Sequence, residues 1–306
     1  MKSKSSAILL IGLGLAAAAH AKPLNQNYVP QSARWIVHVN TQAFWDSQLG
    51  SFALDALGEK EQTQLSALNT LVGSDLIKDL YGITLYGADD DDKKAVLMVH
   101  GKFNQQQLLS FIKLKDTYKE LAHQGQIIYL WQDEKDDHAQ HGSFARDDLV
   151  VISQSRSSVA QALDVLQGKT DTIAQGSAFA ALKAGDRNSI AVACAEELAD
   201  LTKDQANAAM LQHATMFALA IGEQEGQLSA EVQLKTKTTE AAQQIEQMAK
   251  GMLALVSLQQ NQHPELASLI SACNISNNNG TVVFTVTLPA QAIFTLAEKH
   301  AKDKLK

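Results

Sequence analysis

The strongest constraint on the fold is a repeated switch of hydrophobic period. From Ala33 to Asn40 the residues alternate, with Trp35, Val37 and Val39 on one face and Arg34, His38 and Asn40 on the other. That is the period-two pattern of a half-buried strand. From Thr41 to about Lys78 the apolar residues recur at helical spacing in two or three pieces, punctuated by Gly50, Gly58 and Gly73. Leu80 to Gly87 then runs into Ala95 to Gly101 as a hairpin around a charged tip. Asn104 is placed to cap a helix with an apolar stripe through Leu108, Leu109, Phe111 and Ile112. Strands follow at 126–132, 142–146 and 149–153, and Ser155 opens a helix that Gly168 ends. The order is β-α-β-β-α-β with an added strand and helix, which is the split βαβ or ferredoxin-like plan.

The second half repeats it. A strand at 189–195 and a helix at 196–212 precede paired strands at 216–221 and 228–234 around the turn Glu223-Gln224-Glu225-Gly226. A long helix at 238–259 carries Ala242, Ile245, Met248, Ala249, Met252, Leu255 and Val256 on one side. Strands at 270–276 and 281–288 flank Asn277-Asn278-Asn279-Gly280, and Pro289 opens a last helix. Val150-Val151-Ile152 and Val282-Val283-Phe284 enter their helices in the same way. The expected fold is therefore α+β, with two similar ferredoxin-like units at 33–175 and 186–306 whose antiparallel sheets are covered by helices. The alternative is one continuous α/β sandwich in which the two sheets merge.

The first residues point to export. Lys2 and Lys4 precede an uncharged apolar stretch from Ala7 to Ala19, and Ala19-His20-Ala21 has the small-x-small pattern of a cleavage site before Lys22. That stretch is shorter than the roughly 20 residues that span a bilayer, although an uncleaved anchor is the competing reading. Residues 1–21 are thus expected to be a signal peptide, and 22–32 an extended lead-in with two prolines. The expected location is periplasmic or secreted, with no stable membrane insertion after cleavage. Removing two lysines and no acid moves the net charge from −7 to −9. An acidic chain without a basic block is unsuited to nucleic acid, where affinity rests on neutralising phosphates.

Motifs that carry chemistry are missing: there is no G-x-S-x-G, H-E-x-x-H or G-x-x-x-x-G-K-[ST] pattern. No cofactor is expected and no catalytic residue is assigned. In the loop 133–141, His138 and His141, with Asp136 or Asp137, are candidate metal ligands. The simpler reading, which the sequence favours, is a hydrophilic hairpin loop without metal. Asp89 to Asp92 lack the spacing of a calcium loop and read as a solvated tip. His38 and His100 would make a polar surface if they shared an open sheet face, against two solvent-facing positions. Trp35, Trp45, Trp131, Phe44 and Tyr129 either form an exposed aromatic face or fill the core under helices. Cys194 and Cys273 are candidates for a disulfide, because the ferredoxin-like order makes the first and fourth strands of a unit neighbours. Two small buried thiols are the alternative.

The runs ARWIVHVN, DLYGITLYGADD, VLMVHGKFNQQQLL, GQIIYLW and SFARDDLVVISQSRSSVAQALDVLQGK resemble uncharacterised secreted α/β proteins of planctomycete and verrucomicrobial type bacteria. The resemblance covers most of residues 30–170 and implies an exported α/β protein without implying an activity. The expected role is a non-enzymatic binding or structural protein of the cell envelope, recognising a protein or small-molecule ligand. The alternative is a periplasmic hydrolase using the 133–141 loop or the His38/His100 face.

Overall fold

The computed structural model describes residues 22–133, 137–175, 179, 188–196, 213–258 and 265–304. The first half contributes β1 (Trp35–Val39), β2 (Leu80–Gly87), β3 (Val96–Gly101), β4 (Lys119–His123), β5 (Gln126–Trp131), β6 (Gln140–Arg146) and β7 (Leu149–Ser153). The second contributes β8 (Ser189–Glu196), β9 (Ala214–Gln224), β10 (Gln227–Thr236), β11 (Cys273–Asn278) and β12 (Thr281–Pro289). Helices α1 (Thr41–Trp45), α2 (Gln48–Asp55), α3 (Glu59–Val72) and α4 (Leu76–Asp79) link β1 to β2. Then come α5 (Gln105–Lys113), α6 (Arg156–Leu166), α7 (Thr239–Ser257), α8 (Glu265–Ala272) and α9 (Ala290–Lys304).

Among the described residues the strands form one sheet, ordered β11-β12-β10-β9-β8-β1-β2-β3-β7-β6-β5-β4. The fold class is α+β with an antiparallel sheet, but the strand order is not ferredoxin-like. In the split βαβ plan the first strand pairs with the fourth, whereas here β1 pairs along its length with β2, from Trp35↔Gly87 to Val39↔Ile83. The helices between β1 and β2 return the chain to the strand it left, as in an interrupted hairpin, and antiparallel neighbours need no crossover. The two halves merge through an antiparallel β1–β8 ladder from Trp35↔Ala195 to Val39↔Ala191. Outward from that seam the arms match. One runs β1, β2, β3, β7, β6 and the other β8, β9, β10, β12, β11, with the β4–β5 hairpin added at the end of the first.

Turn chemistry sets the hairpins. Gln124-Gly125, Glu225-Gly226 and Asn279-Gly280 all carry positive φ at both positions, the two-residue turn whose twist suits neighbouring antiparallel strands. The sequence reading missed β4, and it ran a strand from 270 where α8 extends to Ala272. The expected helix at 196–212 lies almost entirely outside the described residues, as does most of the expected boundary between the units.

One sheet face is tightly filled. The lead-in straps across it, burying Leu24 and Val29 beside Ile36, Met98 and Val151, while α6 presses Val159, Ala162 and Leu163 onto the same layer. In the second arm α7 packs Ala242 and Ile245 against Leu234, Val282 and Ile275 on the opposite face. The arms are tied together away from the seam as well. The Glu223 carboxylate accepts hydrogen bonds from Gln48 N at 2.7 Å and Leu49 N at 3.1 Å, capping α2 from across the joint. Phe52 and Phe294 meet with ring centroids 5.6 Å apart.

The topology overturns the expected disulfide. Cys194 on β8 and Cys273 on β11 are free thiols with three strands between them. At about 4.8 Å per strand that is roughly 19 Å, far beyond the Cα separation a disulfide spans. Cys194 is 2% exposed, and burial, with the nearby Glu196 carboxylate, pushes its thiol up to about 12. Alkylation of the native, unreduced protein should modify Cys273 well before Cys194, and unfolding should open both thiols. Mass spectrometry checks this; an unmodified pair after denaturation would show that the thiols are linked after all.

Candidate functional site

The sheet face opposite the strap is covered in the first arm by α3 and α5, and that cover is thin. Neither helix has a fully buried side chain. Leu68 and Leu71 on α3, Phe111 on α5 and Leu114 just after it are exposed. The two helices hold each other through Gln107, whose side-chain amide donates to the Thr70 carbonyl at 2.7 Å and the Leu71 carbonyl at 3.0 Å. These carbonyls lie in the last turn of α3, where the helix itself supplies no donor. Asn104 caps α5 by accepting from Gln107 N at 3.1 Å, so one glutamine joins both helix ends.

Beneath this roof the sheet presents two rows of directly opposed residues. Ile83, Val99, Val150 and Phe144 form one, crossing β2, β3, β7 and β6. Leu85, Leu97, Ile152, Gly142 and Tyr129 form the next, reaching β5. Between roof and floor is a cavity of about 380 Å³, lined chiefly by Leu71, Leu108, Phe111, Trp131, Phe144 and Ile152. A second of about 230 Å³ lies over β2 and β3, lined by Leu76, Leu80, Ile83, Val99 and Phe103. Val72, Leu108, Val150 and Ile152 line both, so the two cavities adjoin across these four residues. Cavities of this size and lining are typical of small-molecule sites.

The wider end is aromatic and has the polar rim. A Cβ on Gly142 would stand 3.0 Å from the Trp131 ring, so the missing side chain is what lets the indole lie over the sheet. Tyr129 stacks on Tyr118 with centroids 6.4 Å apart and meets Phe144 edge-on at 6.0 Å. Lys115 forms an ion pair with Asp133 at the edge of the cavity. Sequence reasoning picked out Tyr129, Trp131 and the α5 stripe without joining them. The α3 and α5 stripes carried more apolar residues than the helices bury, which was the available signal.

The other expected site residues fall elsewhere. Residues 1–21, including Ala21 of the expected cleavage site, lie outside the described residues, and so does Asp136. Lys22 is described and ion-pairs with Asp148 at 3.1 Å. Asp137 and His138 are exposed, while His141 is buried on β6 with its Nδ1 3.0 Å from the Gln154 carbonyl. Among the described residues no three His, Cys, Asp or Glu side chains come together as a metal site. At the hairpin tip Lys94 pairs with Asp89 at 3.0 Å and Asp91 at 3.3 Å.

His38 and His100 share a sheet face, but it is the strapped one rather than an open surface. His38 is 3% exposed and His100 6%. His38 has Nδ1 2.8 Å from Thr84 Oγ1 and Nε2 2.9 Å from the Lys22 carbonyl. Tyr28 stacks over His100 at 5.8 Å and carries the Arg146 guanidinium on its ring. Burial drives His38 down to about 4, against a smaller opposing effect of the hydrogen bond it donates to the Lys22 carbonyl. His100 also falls to about 4, first through burial and then through His38, with Lys22 and Arg146 adding to the effect and Asp148 opposing it. Between pH 6.5 and 4 the unfolded chain takes up protons that the folded one refuses, so stability is lost as the pH falls through this window. The upper bound is about 3 kcal/mol for each histidine. Melting temperature should drop from pH 7 to 4.5, and His100→Phe, which preserves a ring under Tyr28, should flatten the slope. An unchanged slope in that variant would put the acid sensitivity elsewhere.

No protein-family model matches the chain, and no curated protein matches its sequence. Among solved structures the fold is similar to that of TP0453, a Treponema protein. Crystal form III of TP0453 aligns with a TM-score of 0.52 at 10% identity, covering 92% of this chain and 99% of that one. Crystal form I gives a TM-score of 0.48 at 10% identity, covering 91% and 98%. No described helix is long and apolar enough to cross a membrane. At this identity the likeness to TP0453 is one of fold alone.

Proposed function

We propose that this chain is an exported, non-enzymatic binding protein of the cell envelope that shelters an apolar small molecule between its sheet and the α3–α5 roof. The observation that carries this reading is the cavity of about 380 Å³ with its apolar and aromatic lining. A solvent-facing helix pair over a hollow is a poor way to build a core, since voids forfeit packing contacts, but it suits a site that must admit a ligand. The charged start, short apolar stretch and Ala19-His20-Ala21 support export and a mature chain beginning at Lys22. The resemblance to secreted planctomycete and verrucomicrobial type proteins is part of the same reading. The matching order of the two arms supports an internal duplication, with units at 33–175 and 186–306, in which the first arm has been elaborated into the site. His38 and His141 are buried against hydroxyl or carbonyl partners, which favours binding over the hydrolase reading.

Titration of residues 22–306 with N-phenylnaphthylamine, an uncharged fluorophore that brightens in apolar surroundings, tests the site. The wild-type chain should saturate with one probe. Ile112→Glu, which puts a carboxylate into the cavity from a helix without a fully buried side chain, should weaken binding at least about tenfold and leave the chain folded, with a cooperative melt. A wild-type chain that leaves the probe dark, or a variant that binds equally well, would reject the proposal.

A further inference from the structure

The rings around the larger cavity narrow the class of ligand, an inference that rests on the apolar-site reading. Trp131 and Tyr129 on β5, Phe144 on β6 and Phe111 on α5 all line it. The adjoining cavity has a single ring, Phe103, among its lining residues. Removing apolar area from water needs no rings, because leucine, isoleucine and valine bury area equally well. Rings add a preference of their own. Their quadrupole, negative on the face and positive at the edge, favours another ring set offset or edge-on.

The backbone is shaped to carry one of these rings against the sheet. Trp131 leans from β5 onto Gly142, where an added Cβ would stand 3.0 Å from two carbons of its six-membered ring. Gly142 lies inside β6, a position where glycine weakens a strand and contributes nothing to packing. The omission lets the indole rest on β6 while the ring, only half-buried, still lines the cavity. Tyr129 is fixed from two sides, stacked on Tyr118 and set edge-to-face with Phe144. A wall ordered in advance spares a ligand the entropic cost of ordering it. The same contacts take up ring surface that a bound cation would need open. Phe111 stands on the roof, so a flat ring entering above the floor meets aromatic surface on both sides.

We infer that the larger cavity takes a small planar aromatic molecule, held between the Trp131 indole on the floor and Phe111 on the roof. The rings read its π system in addition to its apolar area. A saturated molecule of the same skeleton is thicker and has no quadrupole, so it gains from area burial alone.

Calorimetric titration of residues 22–306 with 2-naphthol and with decahydro-2-naphthol isolates that difference, because the two share a carbon skeleton and a hydroxyl. The wild-type chain should bind 2-naphthol at least about fivefold more tightly than its saturated counterpart. Trp131→Leu keeps the wall apolar and should erase the preference, weakening 2-naphthol and leaving decahydro-2-naphthol within about twofold. Phe111→Leu, at an exposed position of α5, should reduce the preference in part and covers the case in which the β5 variant folds poorly. Tetramethylammonium should bind more weakly than either alcohol. Equal affinity for the two alcohols, a preference that a folded variant leaves unmoved, or tighter binding of the ammonium would overturn this inference. So would silence from both alcohols beside a bright N-phenylnaphthylamine signal, and in each of these cases the bright signal leaves the apolar site standing. Silence from both alcohols together with a dark fluorophore would overturn both readings.

Discussion

The structure depends on the β1–β8 ladder. Its five opposed pairs put Ile36 beside Cys194 and His38 beside Val192, all buried, in the middle of the sheet. The ladder continues past the named pairs, with Asn40 N donating to the Ile190 carbonyl and Glu196 N to the Arg34 carbonyl, both at 2.8 Å. Without it each arm would end in an unpaired strand with a full row of donors and acceptors, the hazard that every open sheet edge presents. With it, among the described residues, the open edges are those of β4 and β11. Lys119 and Glu120 are exposed on β4, and charge on an edge strand discourages further pairing.

That seam also gives the two faces of the first arm different physical characters. On the strapped face the lead-in and α6 leave Val29, Met98, Leu149, Val151 and Val159 with no exposed surface. There His38 is held by Thr84 and the Lys22 carbonyl, and Lys22 by Asp148. On the other face the same strands support a hollow. Dense packing on one side lets the strands keep register while the opposite face goes only partly filled, because interior contacts are what make such a layer rigid.

Most of the elements were legible in the sequence, because local rules write them. β2 was bounded at Leu80 and Gly87 as the first strand of a hairpin around a charged tip, and the caps Asn104 and Ser155 from their side chains. β4 was not, since Lys119, Glu120, Leu121 and Ala122 carry no β-branched residue and pair through a turn at Gln124-Gly125. Strand order was the larger failure. Whether β1 joins β2 or a fourth strand depends on contacts made far along the chain, and the alternating pattern of Trp35, Val37 and Val39 is the same in both cases. The disulfide expectation fell with that order. The larger cavity was invisible for a related reason: Leu71, Leu108, Trp131 and Ile152 converge from four separate elements, and none is unusual where it stands. His38 and His100 were read as an open polar face or as two solvent-facing positions, and neither holds, because the strap that buries them is eleven polar-looking residues whose Leu24 and Val29 carried no period to announce their role.

The thin roof has an evolutionary consequence. Residues that bury little surface cost the fold little when they change, so α3 and α5 can accept substitutions that the floor rows cannot. Leu71, Leu108, Phe111 and Ile112 shape the cavity from that tolerant side, while Val99, Val150 and Ile152 belong to strands whose pairing holds the arm together. Descendants of such a chain could therefore exchange one occupant for another by drift in two short helices. Homologues should then diverge fastest over 59–72 and 105–113 while keeping the sheet beneath nearly constant.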